Sequence, residues 1–207
     1  MKRPISYLNA EVINSITHGL GILFGCFAIP SLIQYSIQNG PKEQAIGVTV
    51  YGLCYVTTFT FSTLFHAVNR ERMKQRLELL DHISIYFLIA ATYTPFVIHY
   101  MFNSLGLVLL TGLWCFVIAG AFFELYYINR YIFISLASYI SMSLVFLLVH
   151  KAFFSDMPDH VTMLIYWGMA LYFLGVIFFL WRKLPHHHAL WHLLVLAGSI
   201  CHFEAVW

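Results

Sequence analysis

The chain has 207 residues, of which 60% are hydrophobic and only 10% charged. A soluble domain carries about 25% charged residues, so the composition excludes one and places the chain in the membrane class. The net charge of +2 gives no reason to expect a nucleic-acid partner, and the basic residues matter by where they sit.

Seven apolar runs are long enough to cross a bilayer core, which needs roughly 20 helical residues. They lie at residues 13–37, 44–65, 83–102, 104–127, 131–149, 161–181 and 189–206. The expected fold is therefore an all-α integral membrane protein of seven transmembrane helices, with residues 1–207 forming one domain. Pro30 and Pro95 fall inside runs and predict local kinks. Asn103 and Ser104 mark a very tight turn between the third and fourth runs. The four cysteines, Cys26, Cys54, Cys115 and Cys201, stand singly in apolar runs, which argues against a disulfide framework or a thiolate metal site. The first run is too long for a cleaved signal peptide, and Leu23-Phe24-Gly25-Cys26 fits a lipoprotein box poorly.

The basic residues orient the runs. The N-terminal side carries Lys2, Arg3, Arg70, Arg72, Lys74, Arg76, Arg130, Arg182 and Lys183, against Lys42 and Lys151 on the other side. The positive-inside rule then predicts a cytoplasmic N-terminus and an external C-terminus, in a cell's inner or plasma membrane.

The ionisable residues follow a pattern on this topology. Glu11, Asn14 and His18 share one face of the first run, at i, i+3 and i+7. Ser62 and His66 share a face at the inner end of the second. Asp81 falls at the inner mouth of the third. His188 and His192 are four residues apart at the inner start of the seventh, with β-carbons roughly 6 Å apart. Intramembrane ionisable groups are costly and face a polar interior, partners or water.

His66, His188 and His192 are thus candidate zinc ligands. Three histidines plus water make an open, catalytic-type shell. Zinc would polarise a carbonyl and lower the pKa of water to roughly 7. Asp81 is then a candidate general base or a group that orients a ligand, and Ser62 a candidate orienting group. The accessible substrate class is a lipid amide or ester. The plainer alternatives are a solvated basic turn at His186–His188 facing lipid phosphates, and helix capping by Asp81 and Glu11. His202 lies about 15 Å along the helix from His192, too far to join the same metal.

These motifs resemble the hemolysin III family, the bacterial branch related to the progestin and adipoQ receptors, which include the adiponectin receptors. The resemblance rests on Glu11-x-x-Asn14-x-x-x-His18-Gly19, Ser62-x-x-x-His66, Asp81-His82-x-x-Ile85-Tyr86, Ala91-Thr92-Tyr93-Thr94-Pro95, and His188-x-x-Trp191-His192 with Gly198 and His202. It covers nearly the whole length; Ala91 stands where the family commonly has Gly. It implies seven helices with a cytoplasmic N-terminus, and zinc near the inner leaflet on His66, His188 and His192 with Asp81 beside the water. The wider superfamily includes alkaline ceramidases, which implies a zinc-dependent lipid hydrolase linked to membrane lipid homeostasis. Two other functions stay open: a non-catalytic sensor or receptor with structural zinc, and a pore-forming cytolysin. Against the pore, the same-face polar pairs concentrate in one leaflet.

Overall fold

A backbone crossing hydrocarbon has no water to bond, so each apolar run must satisfy its own N–H and C=O groups as a helix. A computed structural model describes residues 5–207, and the side chains of residues 9–207. Lys2 and Arg3 of the orientation argument lie outside the described residues. Among the described residues the fold is all-helical, with seven helices long and apolar enough to cross a membrane.

The first helix is Ile5–Asn39 and the second Lys42–Ala67. The third is Glu71–Tyr100 and the fourth Ser104–Tyr127. Pro30 and Pro95 are accommodated inside the first and third. The turn expected at Asn103 is made by a cap: its side chain accepts from the Gly106 N–H at 3.0 Å. The fifth span, Ile132–Phe154, is not one helix. It runs as an α-helix over Ile132–Ser143, tightens to a 3-10 helix over Val145–Val149, and resumes as a helical turn at His150–Phe154. The sixth helix is Asp159–Leu180 and the seventh His187–Val206.

Two expectations are corrected here. The third helix begins at Glu71, twelve residues before the predicted 83. Glu71, Arg72, Met73, Lys74, Gln75, Arg76 and Leu77 are strong helix formers, and they extend the helix beyond its apolar stretch. Asp81 therefore lies ten residues inside the helix and does not cap it. Glu11 likewise lies inside the first helix, which starts at Ile5, so it is no cap either.

Alternating helix directions bring Arg70, Arg72, Lys74, Arg76, Arg130, Arg182 and Lys183 to one end of the bundle, called here the basic end. The first three helices pack in sequence, the fourth packs on the third, and the seventh packs on the sixth and the first. Glycines set the closest approach. A Cβ on Gly198 would stand 2.9 Å from the Gly168 carbonyl oxygen, backbone that cannot rotate away, so the sixth and seventh helices meet where neither carries a side chain. One apolar core joins the first, second and seventh helices through Leu32, Tyr51, Tyr55, Phe59 and Phe203. A second joins the third to sixth spans through Tyr86, Val97, Val117, Phe146 and Phe153. The fifth span touches the third and fourth lightly and meets the sixth through side chains, with Phe154 stacked on Tyr166 at 5.3 Å and His150 Nε2 2.9 Å from the Tyr166 hydroxyl. Phe27, Leu53, Val108, Ile118 and Leu148 point outward and exposed, as a lipid-facing surface requires.

Candidate metal centre

The second and seventh helices each present histidine at the basic end. One turn of helix separates His188 from His192, so their rings converge, with centroids 4.5 Å apart. His66, in the last turn of the second helix, completes the group, with ring centroids 5.1 Å from His188 and 4.9 Å from His192. One ring nitrogen from each of the three lies within 4.8 Å of the other two. Two nitrogens bound at 2.0–2.1 Å to one zinc cannot stand more than about 4.2 Å apart, so a small rotation of the rings would close the shell.

The other ring nitrogens decide which atoms are free. His66 Nδ1 lies 3.3 Å from Glu11 Oε2, and a carboxylate only accepts, so Nδ1 carries the proton. Its Nε2 is buried and has no partner. At His192, Thr17 Oγ1 donates to the Asn14 carbonyl at 2.8 Å. His192 Nδ1 lies 3.2 Å from that carbonyl and 3.3 Å from the Thr17 hydroxyl, which again makes Nδ1 the donor. Both histidines thus keep Nε2 as an unprotonated ligand atom, the arrangement that metal-bound imidazoles adopt. An orphaned buried nitrogen costs free energy unless something fills the space, and a metal ion fits that space. The group could hold a metal ion.

The first helix forms the outer support. Glu11 also accepts from Lys74 Nζ at 2.5 Å, and Lys74 donates to the Phe65 carbonyl at 2.9 Å. One carboxylate therefore ties the first, second and third helices together beside His66. His18 stacks on His192 with a centroid separation of 3.6 Å. Both its nitrogens are buried without partners, and it is outside the three-histidine group. Of the expected first-helix face, Glu11 acts through its side chain, Asn14 through its backbone carbonyl and His18 through its ring.

Asp81 and Ser62 border a cavity of about 190 Å3 that reaches His188 and His192. Ser62 is buried and stands beside Asp81 on the wall of this cavity. From there the cavity runs between the third, fifth, sixth and seventh spans, walled mostly by apolar side chains such as Leu136, Ile140, Phe173 and Val195. Its far part reaches Phe153, Ile165 and His202. His202 is well away from the three histidines, as its spacing requires.

Sequence reasoning gave no part in the site to Lys74, Thr17, His82 or Glu124. Lys74 reads as one more basic loop residue until the third helix is seen to include it. Glu124 carried a signal, being a lone carboxylate in an apolar run. It is fully buried and pairs with His82.

The comparisons agree with this architecture. The model of the Haemolysin-III related family matches residues 6–203. Hemolysin-3 of Bacillus cereus is 36% identical over 206 residues, covering 100% of this chain and 94% of the relative. The Hemolysin-3 homolog of Bacillus subtilis (strain 168) is 34% identical over 199 residues, covering 96% and 93%. The human monocyte to macrophage differentiation factor is 28% identical over 214 residues, covering 99% and 85%. No solved structure matches. With seven apolar spans and a family match over nearly its whole length, the chain is a multi-pass membrane protein and belongs to the Haemolysin-III related family.

Proposed function

We propose that this protein is a zinc-dependent hydrolase of a lipid amide or ester, working at the inner leaflet of the inner or plasma membrane. The observation that carries the reading is the junction of two unlike environments. Three histidines, two of them with Nε2 held free, gather at one end of an apolar cavity lined by His188 and His192, and Asp81 borders that cavity. Zinc is the ion that suits an all-imidazole set with an open position, and it would supply Lewis acidity toward a carbonyl and toward water. The rest falls to the chain. Asp81, with Ser62 beside it on the cavity wall, takes a proton from the attacking water. The apolar walls hold an acyl chain. Lipid enters laterally between the fifth and sixth spans, which share the cavity wall and are tied together at His150, Phe154 and Tyr166, away from the basic end. The excess of Arg and Lys at the basic end supports a cytoplasmic N-terminus, with residues 1–207 acting as one domain.

A second reading is favoured by where the ligands come from. His66 belongs to the second helix and His188 and His192 to the seventh, two helices far apart in the chain. A metal there would clip them together in a sensor without turnover. A pore, the reading the hemolysin names of the relatives suggest, ranks below both. The polar groups gather at one end, whereas a lumen needs them across the bilayer.

Two variants separate these readings. His192→Ala measured beside wild type by elemental analysis should lose about one zinc per chain. Asp81→Asn should keep the metal and lose hydrolysis of N-acylsphingosine by about 10²–10⁴-fold. A metal-free wild type prepared without chelator sinks the zinc site. An Asp81→Asn variant as active as wild type sinks the hydrolase. Dye release from liposomes at high protein density would restore the pore.

A further inference from the structure

The hydrolase reading leaves one buried charged pair unused. Glu124, on the fourth helix, is fully buried and lies 3.4 Å from His82 Nδ1 on the third. Gly120, one turn earlier, permits the approach: a Cβ there would stand 2.5 Å from the Tyr86 ring of the third helix. The Tyr139 hydroxyl, on the fifth span, is 3.0 Å from the His82 carbonyl and 3.4 Å from the other Glu124 oxygen. Three helices therefore fix one imidazole.

A purely structural pair would be sealed on all sides. His82 is not: its side chain is 19% exposed, and it borders the same cavity as Asp81 and Ser62. With the carboxylate accepting from Nδ1–H, Nε2 is the nitrogen left for the cavity. Unlike His66 Nε2 and both nitrogens of His18, it is not walled in without a partner. A buried carboxylate that sets the tautomer and leaves the far nitrogen free is the arrangement that makes histidine a proton carrier. The charged and titratable groups around the ring are Glu78 and Asp81 on its own helix, Glu124 on the fourth, Tyr139 on the fifth and His188 on the seventh.

We propose that His82, positioned by Glu124 and Tyr139, is a second acid–base group of the cavity and protonates the leaving group during amide hydrolysis. The inference rests on the hydrolase reading. Water oxygen bonds to the carbonyl carbon and gives one proton to Asp81. Asp81 passes that proton to the free Nε2 of His82, its chain neighbour on the same cavity. The carbon–nitrogen bond then breaks, and the departing nitrogen takes its electron pair and the proton from His82 Nε2. One water and one amide become one acid and one amine, and both groups return to their starting state. The pairing also identifies the preferred substrate class as an amide, whose amine leaves poorly without a proton.

The test uses two probes with the same acyl chain, N-dodecanoylsphingosine and 4-nitrophenyl dodecanoate, on full-length zinc-loaded protein. Nitrophenolate leaves without a proton. His82→Gln should slow the amide by about 10²–10⁴-fold and the ester by less than about tenfold, with zinc content unchanged. Glu124→Gln should do the same more weakly. Nitrogen-15 NMR of labelled histidine should show wild-type His82 as the Nδ1–H tautomer, and Glu124→Gln should abolish that preference. The NMR arm stands even where His82→Gln does not fold. Equal slowing of both probes by His82→Gln, or an Nε2–H tautomer in wild type, overturns this proposal alone. A wild type that cleaves neither probe overturns it together with the hydrolase reading.

Discussion

Replacing Glu11 with Leu separates two jobs that one carboxylate performs. Glu11 accepts from Lys74 at 2.5 Å and from His66 at 3.3 Å, with only 14% of its side chain exposed. Removing one partner of a buried pair costs about 3–5 kcal/mol, because the other charge stays buried. Lys74 keeps the Phe65 carbonyl at 2.9 Å and the Phe65 ring at 4.4 Å, which brings the expected loss down to about 2–3 kcal/mol. His66 also loses the acceptor that fixes its ring, and loss of such a partner weakens metal binding about 10–100-fold. The double variant Glu11→Leu/Lys74→Met divides these effects. Removing both charges should restore most of the stability, while zinc affinity stays low because nothing orients His66. Equilibrium unfolding in mixed micelles reads the first effect, and competition with a chromophoric chelator reads the second. If the double variant regains wild-type affinity, the ring is held by something other than Glu11 and the reasoning fails.

Thr17→Val should be milder. His192 Nδ1 keeps the Asn14 carbonyl at 3.2 Å, so the loss is about 1 kcal/mol, or roughly fivefold in zinc affinity by the same competition assay. Gly198→Ala presses a methyl group onto the Gly168 carbonyl and should destabilise the protein by about 1–3 kcal/mol in the unfolding titration, without changing zinc content. Chelating the metal should lower stability by about 4 kcal/mol at a zinc concentration near 1,000 times Kd, and a His66→Leu variant should not respond to chelator.

The seven spans and the histidine group were readable because each depends on local pattern. Apolar length names a span, and a four-residue spacing puts His188 and His192 on one face whatever the rest of the chain does. Asp81 was placed on the right helix, but the start of that helix was read twelve residues too late. Charge was taken to end the third helix, whereas Glu71 to Leu77 are helix formers for which leaving the bilayer is no reason to stop. The partners of the site were harder still. Glu11 meets Lys74 across 63 residues, and His82 meets Glu124 across 42. No periodicity within a helix encodes which face of another helix it will meet. The 3-10 stretch in the fifth span has neither Pro nor Gly to announce it.

That stretch resets the rotational phase of the fifth span. Up to Ile140 the cavity side is traced by Ile132, Leu136 and Ile140, an α-helical stripe. Continued at about 100° per residue, the stripe would reach Leu147 and then Lys151, only ~20° off the line through Ile140, and would aim an ammonium group at an apolar wall. A 3-10 helix turns about 120° per residue, so five residues advance the phase by roughly 100°. Lys151 is carried away to an exposed position, and Phe153, which a continuous helix would turn outward, comes round to line the cavity and is buried. Five tightened residues thus act as a vernier between the two ends of this span, choosing which side chain the far end of the cavity meets.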